Sequence, residues 1–210
     1  MPEATPPRDS RQSLFAAAAE LFSARGFDGV GVDDIAYVAG LNKAMIYYHF
    51  DDKISLYREV VRDMLRTVGT MAVGVAAHPQ PADQRLAGFV AGLVQLTDER
   101  PWFPTLMLRE IAEGAPRLDP DTVALMKTVF MAFARILTDG QQAGLFRPIN
   151  PVLACMSILG PLLLNAARER AAAAPGRIDL PMFVEVPHAD LIAHMQQAAI
   201  RLLSPESTSA

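Results

Sequence analysis

The sequence predicts an all-α protein of about nine helices. Apolar residues recur at helical spacing, no stretch sustains the alternating valine, isoleucine and threonine pattern of a half-buried strand, and proline- and glycine-bearing breaks cut the chain into pieces of helical length. The first helix is expected from a cap at Asp9 or Ser10 to Arg25, with Leu14, Ala17, Ala18, Leu21 and Phe22 on one stripe. Gly26 stops it, and Phe27 folds back onto the stripe. A short helix follows from Val32 to Ala39, capped at Gly31, with Asp33 and Asp34 at the positive end of its dipole. Gly40 suits a left-handed turn, and the Asn42 side chain caps the next helix, Lys43 to Phe50.

A helix starting at Asp51 or Asp52 continues to about Ala77, where HPQPA at 78–82 breaks the chain. Asp83 to Glu99 and Pro101 to Gly114 are the next two helices, with Pro104 tolerated in the first turns of the second. Leu118, Asp119 and Pro120 start a helix that runs to about Ala143, ended by Gly144. Beyond Pro148 to Pro151 lies a long apolar helix reaching about Ala173. A loop with Pro175, Gly176, Pro181 and Pro187 then leads to a last helix from about Ala189 to Leu203.

Of the 210 residues 51% are hydrophobic and 20% charged, which describes a soluble globular chain rather than a collagen-like, disordered or coiled-coil one. The single cysteine, Cys155, excludes an intramolecular disulfide and a cysteine-cluster zinc site, and fits a reducing cytoplasm. Met1 to Ser10 is polar and proline-rich, so no secretory leader is expected. The most membrane-like stretch, Arg147 to Arg168, is interrupted by Pro151, Ser157, Gly160, Pro161 and Asn165 and reads as a buried helix. The net charge of −4 is evenly spread: residues 1–66 carry 8 Lys and Arg against 10 Asp and Glu, and residues 67–210 carry 11 against 13. Contact with a nucleic acid would therefore have to be local, made by a few placed cations and backbone amides.

Residues 32–50, VDDIAYVAGLNKAMIYYHF, have helix-turn-helix grammar: small Ala36 where helices cross, Gly40 in the turn, and Ile35, Leu41, Ile46 and Phe50 for the core. An ordinary helical hairpin shares that grammar. Lys43, Tyr47, Tyr48 and His49, however, crowd a helix too short to need them for folding, and lysine with phenolic hydroxyls suits phosphate oxygens. With AAAELFSARGFDG before it and DDKISLY after it, this stretch resembles the TetR family of bacterial transcriptional repressors over about residues 10–56.

The resemblance implies an all-helical, cytoplasmic homodimer that binds operator DNA and responds to a small hydrophobic effector. It implies a flexible N-terminus over 1–9, a helix-turn-helix DNA-binding domain over 10–51, a ligand-binding and dimerisation domain over 52–203, and a disordered tail over 204–210. By alignment the DNA-contacting positions are Lys43, Ala44, Met45, Tyr47, Tyr48, His49 and Lys53. Two positions depart from the family pattern: Gly31 replaces a hydroxyl residue that touches phosphate, and Asn42 replaces the usual serine before the recognition helix. The base-reading positions, Ala44 and Met45, offer only apolar surface for thymine methyls or DNA shape.

No nucleophile motif, phosphate-binding glycine loop or histidine pair at HxxxH spacing appears, so neither an enzyme, a cofactor nor a metal is expected. Arg58, Arg62 and Arg66 share a helical face with Glu59 and Asp63 beside them, which reads as a solvated, ion-paired surface. Met64, Met71, Phe89, Trp102, Phe103, Met107, Met126, Phe130 and Phe133 are each core residues by default, with Met156 beyond them. As a set of soft and aromatic side chains they also suit an apolar ligand cavity, near which Arg109, Glu110 and Glu113 are polar candidates for orienting a ligand. The apolar helix after Pro151 and the stripe Leu191, Met195, Ala198, Ala199 and Leu202 on the final helix are expected to meet a second subunit. Two rivals remain open: a helical-bundle enzyme, and a binding protein whose helix-turn-helix is vestigial.

Overall fold

The computed structural model describes residues 7–173 and 186–205. Among these residues there are nine helices and no strand: α1 (Pro7–Arg25), α2 (Val32–Ala39), α3 (Ala44–Phe50), α4 (Lys53–Ala77), α5 (Ala82–Glu99), α6 (Phe103–Ala112), α7 (Pro120–Gln142), α8 (Pro151–Ala172) and α9 (His188–Leu203). Every expected helix is present, and the main shift of an end is at α1, which begins at Pro7, ahead of the expected cap. The expected flexible segment 1–9 and tail 204–210 fall largely outside the described residues, as does most of the loop carrying Pro175, Gly176 and Pro181.

Local chemistry explains the boundaries. Asp52 caps α4 by accepting from the Ser55 amide at 2.8 Å, Asp119 caps α7 through Thr122, and Asn150 caps α8 through the Val152 amide. Proline at the first turns of α6, α7 and α8 occupies positions whose amides have no intrahelical partner. Gly40, at φ 68°, ends α2 with its own amide on the Tyr37 carbonyl and that of Leu41 on Ala36, the left-handed stop that glycine makes without a Cβ penalty.

Two layers form around one continuous core. α1, α2 and α3 enclose Leu14, Ala18, Phe22, Ile35, Ile46 and Phe50. α4 passes beneath them and packs along α7, burying Val60, Val61, Met64 and Val68 against Val129, Phe133, Ile136 and their neighbours. α5 lies between α4 and α7 on one side and α9 on the other.

Three expectations are corrected here. Only Ala154, Ile158 and Leu162 of α8 are buried, so it is not a buried helix; Val152, Leu153, Met156 and Leu164 stand 55–64% exposed. α8 is long and apolar enough to cross a bilayer by length and composition alone, but Pro161 interrupts it and its inner face packs on α5, α6, α7 and α9. On α9, Met195 and Ala199 point into the chain's own core, where α9 packs on α5, and are not free for a partner. Arg58 and Arg62 are partly buried rather than solvated: Arg58 donates to the Arg117 carbonyl at 2.8 Å, and Arg62 pairs with Asp119 and bonds Thr122, stitching α4 to the segment before α7.

Candidate nucleic-acid interface

α3 is seven residues long and amphipathic. Ile46 and Phe50 anchor it in the core, with half-buried Met45 packed beside them. Its start is held by Asn42, whose side-chain oxygen accepts from the Ala44 amide at 2.9 Å. The opposite side presents Lys43, Ala44, Tyr47 and Tyr48; the two tyrosines are 52% and 75% exposed. Two large aromatics held in water beside a lysine, on a helix fixed from behind, present phenolic hydroxyls and an ammonium to anything that approaches.

Before any partner arrives, the Lys43 ammonium lies 3.1 Å from Asp33 Oδ1 on α2. Both groups are exposed, so phosphate oxygens can compete for the lysine at little cost. α2 adds Tyr37, 87% exposed and the most exposed of the large aromatics among the described residues, which sequence spacing did not single out. Its position at the solvent side of the α2–α3 corner, beside exposed Val38, is the signal that marks it. Gly31 supplies no hydroxyl; its amide instead donates to Asp34 Oδ2 at 2.9 Å, tying the start of α2 to itself.

Three of the residues aligned as DNA contacts turn inward: Met45, half-buried against the core, His49 and Lys53. His49 is half-buried, its Nε2 2.8 Å from the Ser10 Oγ of α1. The Lys53 ammonium donates to the carbonyls of Phe27 and Val30 at 3.1 and 3.0 Å, and lies 4.0 Å from the Phe27 ring centroid. Lys53 thereby ties two carbonyls of the α1–α2 connection to the start of α4. These side chains position α3 and α4; they do not stand on the exposed surface with Tyr47 and Tyr48.

The apolar set divides in the same way. Met64, Phe89, Trp102, Phe103, Met107 and Phe133 are buried in the core, with the Phe89 and Phe133 rings 5.7 Å apart. Met71 and Met126 pack partly buried against it, Phe130 is half-buried on α7, and Met156 is 62% exposed. Trp102 also borders a cleft of about 560 Å³ beside α1. Of the polar candidates, Arg109 reaches the Ala24 carbonyl at 3.4 Å, while Glu110 is 1% exposed and bonded to Tyr57 and Arg117. Arg117 in turn pairs with Asp28 at 2.8 Å and with Glu113. Residues 109–117 therefore grip the α1–α2 connection of the helix-turn-helix.

A second polar cluster joins α5, α8 and α9: His188 Nδ1 is 2.6 Å from Asp98 and Nε2 is 3.6 Å from Glu169. The two ring nitrogens face different carboxylates, and the three side chains offer ligand atoms within 4.8 Å of one another.

Two family profiles match this chain. The profile described as bacterial regulatory proteins, tetR family, covers residues 14–60, and that described as tetracyclin repressor-like, C-terminal domain, covers residues 79–163; together they account for well over half of the chain. The chain belongs to the TetR family. As a TetR-family protein it falls among regulators rather than enzymes.

It is 41% identical over 70 residues, 33% of this chain and 31% of the relative, to the transcriptional activator FasR of Mycolicibacterium smegmatis. It is 49% identical over 45 residues, 21% of this chain and 24% of the relative, to the negative transcriptional regulator IcaR of Staphylococcus aureus. The chain thus spans less than a third of the length of these curated relatives. The fold is shared throughout. The ketosteroid transcriptional regulator KstR2 of Mycobacterium tuberculosis superposes with a TM-score of 0.75 at 19% identity, covering 93% of this chain and 95% of that one. The TetR-family regulator PfmR of Thermus thermophilus gives 0.70 at 23%, covering 90% and 97%.

Proposed function

We propose that this TetR-family protein is a homodimeric transcriptional repressor that is released from its operator by a small apolar ligand. In this reading residues 10–51 are the DNA-binding domain and residues 52–203 the ligand-binding and dimerisation domain. The observation that carries it is the exposed face of α3, where Lys43, Ala44, Tyr47 and Tyr48 stand free of the core. Tyrosine hydroxyls and the lysine contact phosphates, Ala44 meets base edges, and Tyr37 adds a contact from α2. His49 and Lys53 act from behind by fixing the angle at which α3 is offered.

Repressor is preferred to activator because the family resemblance points that way; the relatives include one of each sign. The dimer forms through α8 and α9; on α8 the exposed Leu153, Met156 and Leu164 need a partner surface in water. A two-fold protein then matches a two-fold operator, one α3 in each of two successive major grooves. The aromatic and methionine side chains between α4, α5, α6 and α7 supply the surroundings for an apolar effector. A cytoplasmic location follows from the same reading.

The test is binding of the purified protein to fluorescein-labelled DNA from upstream of its own coding sequence, followed by anisotropy. Saturable binding that an unrelated duplex does not compete away supports the reading. Equal affinity for both duplexes contradicts it and favours a vestigial helix-turn-helix.

A further inference from the structure

Three helix ends meet at a point that takes no part in the helix-turn-helix. Asp98 lies in the last turn of α5, Glu169 in the last turn of α8, and His188 opens α9. Each offers one ligand atom, a carboxylate oxygen or a ring nitrogen, and the three atoms lie within 4.8 Å of one another. Bonds of about 2.0–2.2 Å to a tetrahedral ion of the zinc kind set neighbouring ligand atoms about 3.4 Å apart. The approaches of His188 to Asp98 at 2.6 Å and to Glu169 at 3.6 Å bracket that spacing. The three side chains are exposed or half-buried, and so are able to close on an ion by small rotations.

Glu169 is held in place before any ion arrives. Its Oε1 accepts from the Asn165 side-chain amide at 3.1 Å and faces Arg168 at 3.5 Å, while Arg168 Nε donates to Asn165 Oδ1 at 3.1 Å. Oε2 is left facing His188. Outer hydrogen bonds of this kind orient the carboxylates that bind metals.

The charge balance also favours a cation. Asp98, Glu99 and Glu169 set three carboxylates against Arg168 and one imidazole, so negative charge is in excess whether or not the ring is protonated. Burial is the largest cause of a raised Asp98 pKa, and Glu169 and Glu99 add to it against the pull of His188. A divalent cation removes that repulsion.

We infer that Asp98, Glu169 and His188 form a binding site for one divalent transition-metal cation of the zinc class, with water completing its coordination. One imidazole nitrogen beside two carboxylates suits zinc and its neighbours, whereas magnesium and calcium take shells made of oxygen alone. The ligands come from three helices, so no spacing in the sequence announces them. A bound ion ties the start of α9 to the ends of α5 and α8 and stabilises the folded chain by mass action. This binding is independent of the DNA-binding reading.

The test uses tag-free, full-length protein, stripped with a chelator and titrated with zinc chloride by calorimetry. One Zn²⁺ per chain should bind with a Kd of about 10 μM or tighter and raise the Tm, and millimolar Mg²⁺ should not displace it. His188→Ala and Glu169→Gln, the second close to isosteric, should each weaken binding about 100-fold or more, and Asn165→Ala, which removes only the group that orients Glu169, about tenfold. His78→Ala and His194→Ala, at exposed histidines outside the cluster, should bind as wild type does. Circular dichroism checks that each variant is folded. Three results overturn the site: no saturable binding of Zn²⁺ by wild type, wild-type affinity in both His188→Ala and Glu169→Gln, or a loss in His78→Ala or His194→Ala equal to that in His188→Ala.

Discussion

The Tyr57 hydroxyl of α4 donates a 2.5 Å hydrogen bond to Oε1 of Glu110 on α6, and both residues are 1% exposed. The same oxygen accepts from Arg117 at 3.0 Å, and Arg117 holds Asp28 of the helix-turn-helix at 2.8 Å. Burial, together with the neighbouring carboxylate, pushes the phenol well above its ordinary pKa, so the hydroxyl stays a donor throughout the working pH range. Tyr57→Phe keeps the ring contacts with Phe22 and Phe27 and removes one donor from a buried carboxylate. The expected loss is about 1–3 kcal/mol, read from the urea midpoint. An unchanged midpoint would mean that Arg117 alone satisfies Glu110.

The pH dependence of stability has an identifiable contributor in Asp119. Burial works to raise its pKa, but hydrogen bonds from the Thr122 hydroxyl and amide and the charge of Arg62 outweigh burial and hold it at about 2, below the ordinary 3.8. The unfolded chain takes up this proton first. The stabilisation is therefore complete above about pH 4 and is lost as the pH falls toward 2. Asp119→Asn keeps a capping oxygen while losing the charge. It should cost at most about 2 kcal/mol at neutral pH and flatten this acid limb of the stability curve. Parallel curves for the two proteins across that acid range would contradict the account.

Between α3 and α4 the chain turns on Asp51, which has φ 65° and ψ −54°, and the Asp52 amide returns to the Phe50 carbonyl at 2.7 Å. This is a γ-turn of the rare, positive-φ kind, strained for any residue with a Cβ. Asp51→Gly should stabilise the protein by about 1 kcal/mol in urea titrations. A destabilised variant would show that the aspartate side chain contributes more than the strain costs.

How much of this was legible in the sequence depends on range. Every helix from α1 to α9 could be placed because starters such as Asp52, Asp119 and Pro120 and breakers such as Gly26 and Gly40 act within a few residues. The exposed row Lys43, Tyr47 and Tyr48 was visible for the same reason. The inward turn of His49 and Lys53 was not, since their partners Ser10, Phe27 and Val30 lie 23–39 residues away. Nor was the burial of Glu110, whose neighbours come from α4 and the segment before α7. Met195 shows the limit of periodicity: an apolar stripe marks the side of a helix that is covered, without saying whether the cover is the same chain or another.

That distinction yields a prediction for the dimer. Leu153→Asp or Met156→Asp places a charge on the exposed face of α8 and should give a folded monomer by light scattering, since an unpaired charge in an apolar interface costs several kcal/mol, on the order of 3–5. Met195→Asp, 8% exposed within the chain, should instead lower thermal stability. A persistent dimer in both α8 variants would move the interface elsewhere.

The central claim, that the exposed face of α3 binds DNA, is tested most directly by the salt dependence of binding to upstream DNA in wild type and Lys43→Ala. Lys43 is a surface residue whose ion pair with Asp33 is itself exposed, so the variant should fold and dimerise as wild type does. Its affinity should fall, and the slope of log affinity against log salt should flatten by about one, as removal of a single lysine–phosphate pair requires. Lys127→Ala, on the exposed side of α7, should leave both unchanged. Identical slopes and affinities for wild type and Lys43→Ala would contradict the assignment of this face to DNA.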